Sequence, residues 1–259
     1  MTNDREAVWL YAVIHRGAPE WARDLTGVGG GRMRTVTAAG LTALVETVTQ
    51  AEFGEQVLPT RLEDMETLAT IARTHDAVVE TAVRHTTTVP MRLATMYFDD
   101  AGVERMLAEH RTEFNQVLDL IEGCAEWGVK GYVCDPTPQP QRTNSTVPSG
   151  GGAAYLRRRR EQLATKNATE NLAYERAESI HTSLSRFAKL HRRHQPQDAK
   201  LTGADTPMVL NGAYLVPHQH TEEFGAAVSE LTEKPSGVRL ELTGPWPAYS
   251  FARGPGAPV

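Results

Sequence analysis

Four side chains in this chain are suited to acid–base work: His75, Arg92, Glu126 and Lys130. An imidazole can pass a proton near neutral pH, a carboxyl group can accept one, and cations can hold a developing negative charge. They are far apart in sequence, so such chemistry would need a cleft between domains that folds them together. Metal chemistry has a weaker basis. His191 and His194 are three apart and His218 and His220 two apart, but no continuous zinc pattern joins them to a cysteine or carboxylate. The glycine cluster Gly27 to Gly31, GVGGG, lacks the Lys-Ser/Thr ending of a phosphate loop and no helical pattern starts after it, so it reads as a turn. Arg157 to Arg160 could grip phosphates. The adjoining Glu161 and the chain's net charge of -5 instead favour a solvated helix face or a protein contact, with no nucleic-acid partner.

The elements that must position these residues begin with Ala7 to Ile14, AVWLYAVI, a continuous apolar run rich in strand formers and expected to be a central strand. Met33 to Thr37 and Leu41 to Thr49 read as two more strands, turned at Ala38-Ala39-Gly40. Pro59 opens a helical region with apolar residues at three-and-four spacing from Leu62 to Ala82. His75 lies close to that stripe, where a satisfied buried histidine is the simplest reading. Asp76, Glu80 and Arg84 form a charged row that reads as a solvated face. Val89 to Phe98 is an extended apolar segment with one charge inside it, Arg92, which must reach the surface or pair with a helix carboxylate. Asp99-Asp100 caps one helix over 101–121, and Gly123 stops it.

A second domain is expected from residue 125, so that the domains are 1–124 and 125–259. Ala125 to Val133 reads as a strand with Trp127, Val129 and Val133 on one face. Residues 135–152 are rich in Pro, Gly, Ser and Thr and predict a mobile insertion. Ala153 to about His194 carries a long helical pattern whose C-terminal half, with Ile180, Leu184 and Phe187, should pack on a sheet while its first half projects. Strand, helix and strand follow at 208–216, 221–231 and 238–243. This order predicts a ferredoxin-like arrangement that lacks or disguises one strand. The chain should therefore be α+β throughout, the first domain being a strand meander with helices. The end of the chain is stiff: Gly244-Pro245-Trp246-Pro247 should end the strand, and Trp246, Tyr249 and Phe251 should dock that tail, 244–252, in the second domain.

In bulk the chain is ordinary: 259 residues, 40% hydrophobic and 23% charged. The apolar run near the N-terminus is too short and wrongly flanked for a signal peptide or membrane span, so a cytoplasmic protein without a membrane partner is expected. Cys124 and Cys134 flank a strand and read as reduced thiols.

Three blocks carry a specific likeness. VPMRLATMYF at 89–98, EWGVKGYV at 126–133, and AYLV followed by ELTGPWPAYSF at 213–251 together resemble the gas vesicle protein F/L family, in that order and over nearly the whole chain. The resemblance implies two α+β domains, the second ferredoxin-like. It also implies a non-enzymatic accessory or minor structural protein of gas vesicle formation, acting with the small hydrophobic shell protein or other accessory proteins. Cofactors and metals have no place in it. The motif residues it marks are Pro90, Arg92 and Thr95, then Trp127 and Lys130, then Gly244, Pro245, Trp246, Pro247, Tyr249 and Phe251. One departure stands out: where the family commonly has Phe-Gly after the arginine of the first block, this chain has Leu93-Ala94, so a backbone conformation reserved for glycine is not expected there.

Two functions from different classes follow. An assembly factor would cover apolar surface on an unassembled shell subunit, with Leu156, Arg157, Arg160 and Leu163 of the long helix, and any exposed part of the 89–98 block, as candidate contacts. An enzyme or small-molecule sensor would instead gather His75, Arg92, Glu126 and Lys130 in an interdomain pocket.

Overall fold

In the computed structural model the described residues are 5–17, 19–134, 152–197, 206–234 and 237–252. They form two compact units, one of residues up to Glu126 together with the segment from Trp246 on, the other Trp127–Pro245. The tail thus belongs with the first unit and not, as the sequence suggested, with the second. The bonds responsible are those of Tyr249 to Asp76 and of Ser250 to Glu126.

The first unit is built on β1 (Glu6–His15), whose residues from Ala7 to Ile14 are all buried. It pairs antiparallel with β3 (Leu41–Thr49), which pairs with β2 (Arg34–Ala38). On its other side lie β4 (Thr88–Pro90) and β5 (Met96–Tyr97). The meander turn is a two-residue connection with positive φ at both Ala39 and Gly40, the geometry that matches the twist of a tight hairpin. A bulge between Leu10 and Ala12 shifts the register of β1 against β3. The parity of the core then changes: Ala7, Trp9 and Tyr11 before it, and Ala12 and Ile14 after it, all join one apolar cluster. That cluster is closed by Ile71, Val78, Val79 and Ala82.

The helices are more broken than periodicity predicted. A short α1 (Gln50–Phe53) precedes Pro59, and the region that Pro59 opens divides into α2 (Leu58–Glu63) and α3 (Met65–His85). Asp64 accepts the Thr67 N–H and restarts the helix as an N-cap. The single helix expected over 101–121 is two, α4 (Asp100–Glu109) and α5 (Arg111–Ile121), because His110 leaves helical geometry at φ -103°, ψ 17°. Asp99 caps the first through Gly102, and Gly123 at φ 66° follows the second.

The second unit runs β6 (Cys124–Val133), α6 (Gly152–Ser185), β7 (Leu190–Arg193), β8 (Met208–Pro217), α7 (Thr221–Glu233) and β9 (Val238–Trp246), with sheet order β7-β8-β6-β9. This is the β-α-β-β-α-β order of a ferredoxin-like unit, and β7 is the disguised strand. Its sequence, LHRR, falls within the long helical pattern expected from Ala153 to about His194. An edge strand rich in charge gives little apolar signal, and it pairs antiparallel with β8 from Leu190↔Leu215 to Arg193↔Gly212. On α6, Ala173, Ala177, Ile180 and Leu184 enter the core beside Val129, Tyr214 and Phe224. The insertion expected at 135–152 lies outside the described residues, apart from Gly152 at the start of α6.

At the chain's end the strand does not stop at Gly244. β9 continues to Trp246 through a cis Gly244–Pro245 bond, which an edge strand tolerates because a missing donor there breaks no inner ladder. Val238 and Leu240 are buried, but Leu242 is exposed.

Leu93-Ala94 overturns its expectation. Ala94 takes φ 65°, the left-handed region, without being glycine. That conformation costs a non-glycine residue roughly 1–2 kcal/mol, whereas glycine's extra freedom in the unfolded chain returns only roughly 0.5–1 kcal/mol. Ala94→Gly should therefore stabilise the first unit by about 0.5–1 kcal/mol. A thermal melt showing an equal or lower midpoint would contradict this strain.

Candidate functional site

The glycine cluster binds an anion, and the anion is the protein's own. Glu46, fully buried on β3, accepts the Gly31 N–H at 2.7 Å and the Gly29 N–H at 3.1 Å on Oε1, and the Tyr11 hydroxyl at 2.7 Å on Oε2. The Tyr11 oxygen in turn accepts the Val28 N–H at 2.8 Å. Burial, and then the Glu46 carboxylate, push the Tyr11 phenol well above its ordinary range, keeping it a donor. A Cβ on Gly27 would sit 2.1 Å from Glu46 Oε2 and 2.4 Å from the Tyr11 oxygen. The loop is a nest of amides already filled by a side chain.

His75 is equally committed. Its Nδ1 accepts the Trp9 indole N–H at 3.1 Å, and its Nε2 therefore donates to the Met91 carbonyl at 3.0 Å. The ring stacks on Tyr11 with centroids 5.0 Å apart. Burial lowers its pKa, outweighing the Met91 carbonyl and Asp76, both of which raise it. Protonation would place a hydrogen on Nδ1 facing another donor. Since the folded pKa lies below the unfolded value, the unfolded chain takes up more protons as pH falls through about 6.5, and stability declines by up to about 1.4 kcal/mol per pH unit. His75→Gln should flatten that slope between neutral and mildly acid pH in chemical denaturation; an unchanged slope would remove His75 as its source.

The 89–98 block is not one strand but two with a turn between. Pro90 is buried opposite Ala12, and the Met91 N–H donates to the Tyr11 carbonyl. The Thr95 hydroxyl and N–H both return to the Arg92 carbonyl, at 2.7 and 3.2 Å, while the Thr95 carbonyl accepts the Leu10 N–H beside the bulge. Thr95 thus closes the turn that places β5. Arg92 itself is exposed; no helix carboxylate pairs with it among the described residues. The expected structural ion pair is found instead at Arg34, bidentate to Asp100.

The tail docks by its second half. Pro247, Ala248 and Phe251 are buried. The Tyr249 hydroxyl donates to Asp76 at 2.8 Å, so Asp76 is not simply a solvated charge. The Ser250 N–H and hydroxyl both donate to Glu126, at 2.8 and 2.5 Å. Gly244 and Pro245 are exposed, and so, contrary to expectation, is Trp246 at 48%. Trp127 packs near Phe224 with its Nε1 buried and without a hydrogen-bond partner among the described residues. Lys130 is half-buried.

The acid–base quartet is therefore spent piecemeal: His75 between Trp9 and Met91, Glu126 on Ser250, Arg92 in solvent. No three metal-ligating side chains converge among the described residues. His191 meets His181 edge to face, and His181 meets the Tyr214 hydroxyl at 2.7 Å.

The concavity in the first unit is apolar. A groove of about 820 Å³ lies between residues 50–62 on one side and 94–98 on the other. Two of its lining residues are large exposed apolar groups, Phe98 at 82% and Val57 at 37%. On α6, Arg157 and Arg160 are exposed, whereas the side chains of Leu156 and Leu163 lie outside those described.

A family model described as "Gas vesicle synthesis protein GvpL/GvpF" matches residues 7–253. The chain belongs to the GvpL/GvpF family. It is 37% identical to gas vesicle protein L of Streptomyces sp. (strain CB03234) over 97% of this chain and 94% of that protein. Gas vesicle protein L1 of Halobacterium salinarum is 26% identical over 94% and 89% of the two chains. Among solved structures, the GvpF crystal structure from Anabaena sp. PCC7120 superposes with a TM-score of 0.67 at 18% identity, over 96% of each chain. The α+β fold of this GvpL/GvpF member is thus shared with GvpF, and its role is gas-vesicle-related. No helix among the described residues is long and apolar enough to cross a membrane.

Proposed function

We propose that the chain is a non-enzymatic accessory or minor structural protein of gas vesicle assembly, which binds the hydrophobic shell protein or other accessory proteins during nucleation and growth in the cytoplasm. Its carrying observation is a contrast. The buried candidates for chemistry, His75 and Glu126, are hydrogen-bonded within the fold, while Phe98, at the end of a family block, is left almost wholly in water. Exposed apolar groups of this size around a groove mark a protein contact more than a reaction site. The first half of α6, with Leu156, Arg157, Arg160 and Leu163, is a second candidate contact on the strength of its exposed arginines.

Co-expression of the tagged chain with the shell protein and, separately, with each accessory protein tests this by capture. A partner should be retained by the parent chain and lost on Phe98→Asp, or on the pair Leu156→Asp and Leu163→Asp if α6 supplies the surface. Retention of no partner by the parent chain would contradict direct binding.

A further inference from the structure

The groove of the first unit has a shape and a charge that select its occupant. One wall is helical: Leu58 and Leu62 are one turn apart on α2, with Phe53 and Val57 beside them. The other is the short segment around β5, where Ala94, Met96, Tyr97 and Phe98 line the groove in succession. A helix about 10 Å across would occupy 820 Å³ over about two turns. Acidic side chains accompany the helical wall: Glu55 lines the groove, Glu52, Glu63 and Glu66 are exposed on or next to the elements that form it, and Asp99 is exposed one residue after Phe98. Arg61, the single basic residue in the stretch 52–66, turns inward: its guanidinium donates to the Glu52 carbonyl at 2.9 Å and lies 4.8 Å over the Phe53 ring.

We infer that this groove is a receptor for an amphipathic helix of a partner protein, one with large apolar residues on one face and lysine or arginine along both margins. Apolar side chains entering between Leu62 and Phe98 supply the contact, and the basic margins meet the glutamates, which set orientation and discriminate against acidic helices. This deepens the assembly reading by naming the chemistry of the partner segment, and rests on that reading only for the partner's biological setting.

The full chain is titrated, by fluorescence anisotropy, into two labelled peptides of about 18 residues, long enough to hold a helix when bound. Both carry the same leucine face; one is flanked by lysine, the other by glutamate. The lysine peptide should bind at least about tenfold more tightly, with the preference shrinking at high salt as exposed charges are screened. Phe98→Asp, at a side chain already in water, should abolish binding of both. Glu55→Lys with Glu63→Lys should invert the preference, which a merely unfolded variant cannot do. Equal binding of the two peptides, or binding of neither, overturns the inference. So does dimerisation of the chain in sedimentation velocity that Phe98→Asp abolishes, since a second copy would then fill the groove. Loss of peptide binding with retained capture of a gas vesicle partner would sink this inference alone; peptide binding with no captured partner would sink the assembly reading alone.

Discussion

Glu46→Ala should lower the stability of the first unit by about 3–5 kcal/mol, because it leaves the buried Tyr11 hydroxyl and the part-buried Gly29 and Gly31 N–H groups without their acceptor, at roughly 1–3 kcal/mol each with the hydroxyl at the upper end. For a unit of this size that is a fall of roughly 10 °C in midpoint. Glu46→Gln retains one acceptor oxygen but adds a donor facing donors, so it should fall between the two. The check is thermal and urea unfolding of the three proteins side by side. If Glu46→Ala melted within about 2 °C of the parent, the carboxylate would not be what organises the loop.

Gly27→Ala should cost about 2–4 kcal/mol by the same route from the other side. The new methyl would stand 2.1 Å from Glu46 Oε2 and 2.4 Å from the Tyr11 oxygen. Both atoms are the far ends of side chains that could ordinarily swing away, but each is held by hydrogen bonds in the nest. Moving them breaks the bonds, and leaving them incurs overlap. The two substitutions share one cause, so their effects should not add. Placed on the Glu46→Ala background, Gly27→Ala should cost much less than alone. Full additivity would show that Gly27 is needed for its backbone, independently of the carboxylate.

What the sequence made legible followed from period and composition. The run AVWLYAVI could only be an inner strand, and β3, β8 and α7 announced themselves by their spacing. Local breaks were hidden. Asp64 and His110 interrupt apolar stripes that stay in phase across them, so periodicity alone cannot see either end. β7 was hidden by its charges, and Trp246 looked like a docked ring because size was legible and direction was not. The nest had a signal that went unused: Glu46 is an acid in the middle of the buried run LTALVETVT, and a buried acid demands donors, which a glycine-rich loop has in abundance. Ala94 teaches the converse. The absence of glycine at this position does not keep the backbone out of a left-handed turn; Thr95 holds that turn by bonding back to Arg92, and alanine bears the strain.

The candidate contact surface was half legible. The sequence points to the 89–98 block without saying which part of it is exposed, and the opposite wall, residues 50–62, reads in sequence as ordinary helix and loop. Only folding brings Leu62 and Phe98 to one groove with Glu55 in its lining.

The most direct measurement is complementation: delete the gene in a gas-vesicle-forming host, return it in parent or variant form, and count vesicles by electron microscopy with protein levels matched. The parent, Arg92→Ala and Lys130→Ala should each restore vesicles, while Phe98→Asp should not. Restoration by Phe98→Asp together with failure of Arg92→Ala and Lys130→Ala would contradict a role carried by apolar contact and return the chain to polar chemistry.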